Sequence, residues 1–204
     1  MKNALFLDRD GIFNELVYRN GVPTAPRTPE ELRLCHDFDG QVLSEIKKLG
    51  FLLVLVTNQP DIERGLVSQK FVEDVLQDYQ KRFGLDALYY CPFSSDNHPW
   101  KKPNPGMFLQ AAQDLSLTLS ECFHLGDTVR DIGAARRCGC RSLLWRKPYN
   151  RDLIADFSVN NLQEVRSVLV AAKSNQKNHT GCASSGSLGW GQEFEFHKEN
   201  LSAD

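Results

Sequence analysis

Five short apolar runs, separated by helix-like sequence, constrain the fold of this chain more than any other feature. Each run has the length of a strand, and none alternates cleanly between apolar and polar residues, which is typical of strands buried on both faces. The runs span residues 4–8, 52–57, 87–91, 122–127 and 141–145. We therefore expect a sheet whose two faces are both covered.

Apolar residues at helical spacing lie between these runs and predict helices. The stripes are Val42, Ile46 and Leu49; Phe71, Val75, Leu76, Tyr79 and Phe83; and Met107, Phe108, Ala111, Ala112 and Leu115. Strands that alternate with helices predict an α/β fold, here a Rossmann-like three-layer α/β/α sandwich with a mostly parallel central sheet. Ligands of such sheets bind beyond the carboxyl ends of the strands, so chemistry is expected there.

The chain has an ordinary globular composition, with 204 residues of which 41% are hydrophobic and 25% charged. We expect one domain over residues 1–172. The sequence from 173 to 204 is rich in Ser, Asn, Gly and Gln, which predicts a polar, flexible tail. The formal charge of −2, from 24 Lys and Arg against 26 Asp and Glu, excludes a strongly basic nucleic-acid surface as the main theme.

The sequence shows no membrane span, signal peptide or disulfide scaffold, and the expected cellular location rests on these three points. No apolar run approaches the roughly 18 residues of a membrane span. The N-terminus turns acidic after a few apolar residues, so we expect no signal peptide. Six cysteines are too few for a disulfide scaffold and are expected to be free thiols in the cytoplasm, with Cys182 exposed in the tail.

Acidic residues follow two of the predicted strands. Asp8 and Asp10 stand at the end of the first run, where residues two apart share a face. Two close carboxylates repel unless a cation lies between them, and their oxygens suit a hard cation such as Mg²⁺. Asp127 ends the fourth run and is placed to complete a metal site. Asp131 follows in the first turn of the next helix, where it either holds a metal-bound water or caps that helix.

Hydroxyl, amide and lysine side chains follow the other strands. Thr57, Asn58 and Gln59 end the second run and form a small anion cradle. Lys101 and Lys102 precede a proline-rich turn, where a lysine is a fixed charge for phosphate. Each signal is weak alone, but together they place an Asp-x-Asp, a hydroxyl, a lysine and a Gly-Asp-x-x-x-Asp in order at or after strand ends.

This set of motifs resembles the haloacid dehalogenase superfamily of phosphatases over roughly residues 1–145. Finer details resemble its branch without a large cap domain, which contains heptose bisphosphate and histidinol phosphate phosphatases. The segments that carry this likeness are DRDGIFN at 8–14, TNQ at 57–59 with IERG at 62–65, and KPNPGM at 102–107.

The resemblance implies a role for each motif residue. Asp8 would attack phosphorus, and Asp10 would protonate the leaving group and then activate water. Asp8, Asp10 through its carbonyl, and Asp127 would hold Mg²⁺. Thr57 and Lys102 would bind the transferring phosphoryl group. The remaining substrate contacts would come from Asn58, Gln59, Arg64 and Lys101, with Arg64 suited to a second phosphate.

The sequence departs from this branch in its zinc loop, which often has the form Cys-x-His…Cys-x-Cys. Cys91 and His98 are the two matching ligands here, and two ligands do not make a closed tetrahedral site. We expect no structural zinc and an apolar contact between Phe93 and Trp100 in its place. Lys101 stands where heptose enzymes carry arginine.

The segment 18–34 should border the site, with Arg19 and Arg27 as either substrate contacts or solvated surface residues. His124 is expected to be a core histidine. Gly139 is expected to end a helix.

The expected function is a Mg²⁺-dependent phosphomonoesterase that acts on a small sugar phosphate, with D-glycero-D-manno-heptose 1,7-bisphosphate favoured. Histidinol phosphate and a polynucleotide 3′-phosphate are the alternatives. The absence of a basic stripe and of aligned stacking aromatics argues against nucleic acid. A non-catalytic binding protein conflicts with the intact motif residues. The branch resembles monomers, so a monomer without membrane or nucleic-acid partners is expected.

Overall fold

The computed structural model describes residues 2–36 and 38–180. A six-stranded sheet has the strand order β5-β4-β1-β6-β7-β8, and every neighbouring pair in it is parallel. The strands of the chain are β1 (Asn3–Leu7), β2 (Val17–Arg19), β3 (Val22–Thr24), β4 (Phe51–Asn58), β5 (Ala87–Cys91), β6 (Phe123–Gly126), β7 (Arg141–Trp145) and β8 (Phe157–Val159). The five predicted strands are confirmed, and β8 adds a sixth at one edge.

Helices cover both faces of this sheet. They are α1 (Gly40–Lys48), α2 (Gln69–Phe83), α3 (Gly106–Leu115), α4 (Val129–Cys138) and α5 (Leu162–Thr180). Alternate residues of β1 enter different cores: Leu5 and Leu7 pack in the core that contains residues of α1, α2 and α5. Ala4 and Phe6 pack in the core formed with α3 and α4. The three-layer sandwich is therefore confirmed.

No large cap domain interrupts the described chain. The connection from β1 to α1 holds the antiparallel hairpin β2–β3 and a short 3₁₀ helix at Pro29–Glu31. The connection from β4 to β5 holds only α2. The hairpin was not predicted, because strands of three residues are too short to show a sequence period.

Local sequence sets several helix ends. The Ser68 hydroxyl accepts a hydrogen bond from the Phe71 backbone N–H at 3.1 Å and starts α2. Gly139, with φ of 80°, ends α4 in the left-handed conformation that glycine adopts at low cost, as predicted. Cys91, Cys122, Cys138 and Cys140 are free thiols, also as predicted. None of the helices in the described part of the chain is long and apolar enough to cross a membrane.

Helix α5 runs to Thr180 and therefore continues past the domain boundary predicted at residue 172. Lys173 explains part of this extension, because its ammonium group donates to the Leu49 carbonyl and lies 5.3 Å from the centre of the Phe51 ring. The predictions for the rest of the tail, including an exposed Cys182, lie outside the described residues.

Candidate active site

The carboxyl ends of β1, β4 and β6 converge on one cavity of about 460 Å³, which we call the active-site pocket. Asp8 follows β1, Thr57 lies near the end of β4, and Asp127 follows β6. Lys102 reaches the same place from the loop between β5 and α3. The walls of the pocket also include residues 22–25 of the hairpin segment, Arg27, Asp61, Arg64, Arg130 and Tyr149.

Lys102 is buried, and its ammonium group has a partner for each of its three hydrogens. Nζ lies 2.8 Å from Asp8 Oδ1, 2.7 Å from Asp131 Oδ1 and 3.0 Å from the Val56 carbonyl oxygen. Burial lowers the pKa of Lys102, but the charges of Asp131 and Asp8 outweigh burial and raise it. The lysine is therefore a fixed positive charge beside Asp8.

Asn58 holds the backbone of Lys102 in place. Its side-chain amide donates to the Lys102 carbonyl at 3.0 Å and accepts from the Lys102 N–H at 2.9 Å. Both polar atoms of the amide are therefore used within the protein. Asn58 thus positions Lys102; it also lines the pocket, and its substrate contact stays a prediction.

The carboxylates of the pocket differ because of their surroundings. Burial, opposed by Lys102 and reinforced by the other acids, raises the pKa of Asp8 to about 8. Burial and the charge of Asp131 raise the pKa of Asp127 to about 7. Burial also acts on Asp131, but Lys102 and His124 outweigh it and lower the pKa of that carboxyl.

A cation fits between Asp8 and Asp127. Carboxylate oxygens of Asp8, Asp127 and Asp131 lie within 4.8 Å of one another. Asp127 Oδ1 is buried and has no hydrogen-bond partner, so it carries a lone pair that a cation would satisfy. Asp131 instead uses both oxygens within the protein, Oδ1 with Lys102 and His124 and Oδ2 with the Thr128 N–H at 3.0 Å. It caps α4, which is one of the two roles considered for it.

Asp10 is held by donors on three sides. Arg9, which is buried, donates from Nε and a terminal nitrogen at 2.9–3.1 Å, Asn14 donates at 2.9 Å, and Gln59 donates at 2.8 Å. Gln59 also donates to the Thr57 hydroxyl oxygen at 2.9 Å. Gln59 therefore links two predicted catalytic residues, and its amide nitrogen is used there rather than for the predicted substrate contact.

Lys101 does not line the pocket, in contrast to its predicted substrate contact. Its side chain is buried, and Nζ donates to the Ser94 carbonyl and lies 2.7 Å from Asp96 Oδ1. The lysine that follows it points into the site instead, because Asn58 fixes the backbone between them.

Two arginines meet a carboxylate at the mouth of the pocket. Arg27 donates to Asp61 Oδ2 at 2.8 Å, and Arg64 donates to Asp61 Oδ1 at 3.2 Å. Arg27 thus joins the hairpin segment to the turn after β4. Arg64 was predicted at the site, and Arg27 was one of two candidates; Arg19 pairs with Glu31 instead. Asp61 was missed because an acid in a turn has no distinctive sequence signal.

The loop at the predicted degenerate zinc site is held by rings and hydrogen bonds. Cys91 Sγ lies 3.7 Å from His98 Nδ1, and the Phe93 ring stacks on His98 with centroids 4.2 Å apart. Trp100 packs edge-on against Tyr89 at 6.3 Å. The expected Phe93–Trp100 contact is therefore replaced by two separate ring pairs, and the absence of zinc stays a prediction.

Sequence reasoning missed the roles of Arg9 and Tyr149. Arg9 lies between the two motif aspartates, so its position was visible but its partner was not. Tyr149 follows β7 in a turn and donates its hydroxyl to Asp127 Oδ2. His124 is buried as predicted and in addition lies 3.2 Å from Asp131 Oδ1.

Comparisons with known proteins agree with this geometry. A family model of haloacid dehalogenase-like hydrolases matches residues 5–139. The D-glycero-D-manno-heptose-1,7-bisphosphate 7-phosphatase of Chlorobaculum tepidum is 32% identical over 173 residues, which cover 75% of this chain and 83% of that protein. The D-glycero-beta-D-manno-heptose-1,7-bisphosphate 7-phosphatase of Photorhabdus laumondii is 31% identical over 192 residues, which cover 83% of this chain and 96% of that protein.

A solved structure supports the fold. The D,D-heptose 1,7-bisphosphate phosphatase from B. bronchiseptica, complexed with magnesium and phosphate, superposes with a TM-score of 0.67. The match covers 87% of this chain and 99% of that one at 22% identity. At that identity the likeness extends to the fold alone.

Proposed function

This chain belongs to the haloacid dehalogenase-like hydrolases, and from that premise we propose that it is a magnesium-dependent phosphomonoesterase with Asp8 as its nucleophile. The observation that carries the proposal is the buried ion pair of Asp8 and Lys102, which faces Thr57 and Asp127 in one pocket. The pair places a nucleophile and a fixed positive charge side by side, as phosphoryl transfer requires.

In the first step, a carboxylate oxygen of Asp8 attacks phosphorus, and the bond from phosphorus to the ester oxygen breaks. Asp10 gives its proton to the leaving alkoxide, so an alcohol departs and an aspartyl phosphate remains. The Lys102 ammonium, held by Asp8 and Asp131, supplies positive charge beside the transferring phosphoryl group. The Thr57 hydroxyl accepts from Gln59, so its own hydrogen is available to bind a phosphoryl oxygen.

In the second step, water attacks phosphorus of the aspartyl phosphate. Asp10 takes a proton from that water, inorganic phosphate leaves, and the Asp8 carboxylate is restored. Arg9, Asn14 and Gln59 all donate to Asp10 and so hold its carboxyl group in place.

Asp8 and Asp127 would hold magnesium, with Asp127 Oδ1 as the unpartnered ligand atom. The ion supplies positive charge that offsets the crowded carboxylates and the phosphate. The backbone carbonyl of Asp10 is proposed as a further ligand, as the family resemblance implies. Asp131 positions Lys102 in this scheme.

The favoured substrate is D-glycero-D-manno-heptose 1,7-bisphosphate, with the 7-phosphate removed. Its support is the name of two relatives that cover most of this chain, together with the arginines at the pocket mouth. Arginine forks suit the phosphate that does not react. Histidinol phosphate fits less well, because both oxygens of Asp61, the carboxylate at the mouth, are already paired with Arg27 and Arg64.

The test is phosphate release with Mg²⁺ from both anomers of the heptose bisphosphate, histidinol phosphate, fructose 1,6-bisphosphate and a 3′-phosphorylated oligonucleotide. Asp8→Asn should abolish release, whereas Asp78→Asn, on the exposed face of α2, should not. Preference for one heptose anomer supports the proposal. Faster turnover of histidinol phosphate or the oligonucleotide would replace the substrate, and activity in Asp8→Asn would refute the mechanism.

We also propose that the protein is a cytoplasmic monomer without a nucleic-acid partner. The free thiols of Cys91, Cys122, Cys138 and Cys140 suit a reducing compartment. Light scattering coupled to size-exclusion chromatography tests the monomer, with a dimer mass as the contrary result.

A further inference from the structure

We propose that Tyr149 is a positioning residue for the metal: its hydroxyl holds one oxygen of Asp127 so that the other faces magnesium. This inference rests on the proposed function, because it assigns a residue to the metal site of that function. Neither the motifs nor the predicted site includes Tyr149, which lies in the turn after β7, whereas Asp127 follows β6.

The two oxygens of Asp127 are used differently. Oδ2 accepts the hydrogen bond from the Tyr149 hydroxyl, while Oδ1 is buried without a partner. A carboxylate held at one oxygen cannot rotate freely about its last bond, so the direction of Oδ1 is set before a cation arrives. Hydrogen bonds of this kind to metal-binding carboxylates tune both their orientation and their affinity.

The turn that carries Tyr149 is itself fixed to the strand that carries Asp127. The buried Asn150 side chain donates to the Asp127 carbonyl and to the Trp145 carbonyl, both at 2.8 Å. Its oxygen accepts from the Lys147 N–H at 2.9 Å. The side-chain amide of Asn150 thus connects the end of β7 to the end of β6. The backbone next to Tyr149 is therefore fixed relative to Asp127.

Gly11, in the turn after Asp8, leaves room for the contact between Asp127 and Tyr149. A Cβ at Gly11 would lie 2.1 Å from Asp127 Oδ2 and 3.2 Å from the Tyr149 hydroxyl oxygen, which is too close for any other residue. The backbone of Gly11 also has a φ of 85°, which disfavours side chains. Asp127 and Tyr149 are therefore packed against the turn that follows Asp8.

Tyr149 also separates two cavities. It lines the active-site pocket and a second cavity of about 350 Å³ that includes Tyr18 and Lys147. A phenylalanine ring at this position would keep the wall between them and remove only the hydroxyl. Tyr149→Phe is therefore a clean test of the hydrogen bond.

The experiment measures Mg²⁺ binding to metal-free protein by calorimetry and by the rise in melting temperature with added Mg²⁺. Tyr149→Phe should bind Mg²⁺ about 10- to 100-fold more weakly than wild type. The matched control is Tyr89→Phe, whose hydroxyl donates to Asp114 at 2.8 Å outside the pocket, and it should bind like wild type. In turnover, the Mg²⁺ concentration for half-maximal rate should rise in Tyr149→Phe, with kcat at saturating Mg²⁺ close to wild type.

Equal or tighter Mg²⁺ binding by Tyr149→Phe would overturn the inference and leave the proposed function standing. A lower kcat at saturating Mg²⁺ with unchanged binding would do the same, because it would assign the hydroxyl to the reaction itself. If wild-type protein shows no Mg²⁺ binding by either measurement, the proposed metal site fails, and this inference fails with it.

Discussion

Lys102→Met should lose both stability and activity, whereas Lys101→Met, at the neighbouring position, should lose little of either. Lys102 and Lys101 are both buried, but their partners differ. Lys102→Met removes the ion pairs at 2.8 and 2.7 Å to Asp8 and Asp131, both of which are themselves buried. Removal of one partner from a buried ion pair costs about 3–5 kcal/mol.

The lower end of that range is expected for Lys102→Met. Asp8 already has a pKa raised to about 8, so without the lysine it takes up a proton and avoids a buried charge. Asp131 keeps its bonds from the Thr128 N–H and His124, so its charge is only partly unpaired. A loss of about 3 kcal/mol follows, which at a urea slope of about 2 kcal/mol/M moves the midpoint by about 1.5 M.

Lys101→Met should cost about 1 kcal/mol. Its carboxylate partner Asp96 is 72% exposed, so that ion pair is close to a surface one, and the Ser94 carbonyl contact supplies most of the loss. Its kcat and KM should stay close to wild type, whereas Lys102→Met should lose kcat by at least about 10²-fold.

Urea denaturation in EDTA and phosphate-release kinetics on the same samples check both lysine variants. The reasoning fails if Lys101→Met raises KM tenfold at unchanged stability, because that would return Lys101 to the substrate. It also fails if Lys102→Met unfolds at the wild-type midpoint.

Three further predictions concern the pocket. Without Mg²⁺, the free energy of unfolding should fall as pH rises from 5 to 8.5, because the raised pKa values of Asp8 (about 8) and Asp127 (about 7) make the folded state bind more protons than the unfolded state; urea midpoints at both pH values check this, and a rising midpoint contradicts it. Gly11→Ala should abolish the Mg²⁺-induced rise in melting temperature, because its Cβ would collide with Asp127 Oδ2; a wild-type rise would show that the turn can yield. Arg27→Met should raise KM about tenfold for a bisphosphate, because one charged hydrogen bond to the phosphate that does not react is lost, and should leave KM for a monophosphate unchanged. Arg33→Met, at an exposed position, is the control, and equal effects on both substrates would show that Arg27 does not bind the second phosphate.

The sheet was predictable because its strands are buried on both faces and therefore appear as continuous apolar runs. Strand ends were correct to within about one residue, as β5 (Ala87–Cys91) and β7 (Arg141–Trp145) show. The hairpin β2–β3 and the edge strand β8 were not predictable, since three residues contain no period. Helix α5 was not predicted, and it runs past the boundary at residue 172 because Lys173, in the polar sequence beyond it, binds the body of the domain.

The positions of the site residues were predictable to a similar extent, but their partners were not. Asp8, Thr57 and Asp127 meet because parallel strands end at the same edge, which a sequence reveals. Asn58 and Lys101 were assigned to the substrate from the family resemblance, which gives the positions of motif residues but not the partners of their side chains. Which of them binds a neighbouring loop depends on backbone placement across the chain, and the pairing of Asn58 with Lys102 spans 44 residues.

The strand order explains why Tyr149 was hidden and how such residues are found. β7 lies beside β6, so the turn after β7 abuts the end of β6, where Asp127 stands. In the sequence these residues are 22 apart and belong to different motifs. The sequence predicts which residues stand at the ends of the strands that form the pocket. The order of strands in the sheet then shows which other loops lie beside those ends, namely the loops that follow the neighbouring strands. Polar side chains in those loops are the ones that hold the first set in place, as Tyr149 holds Asp127.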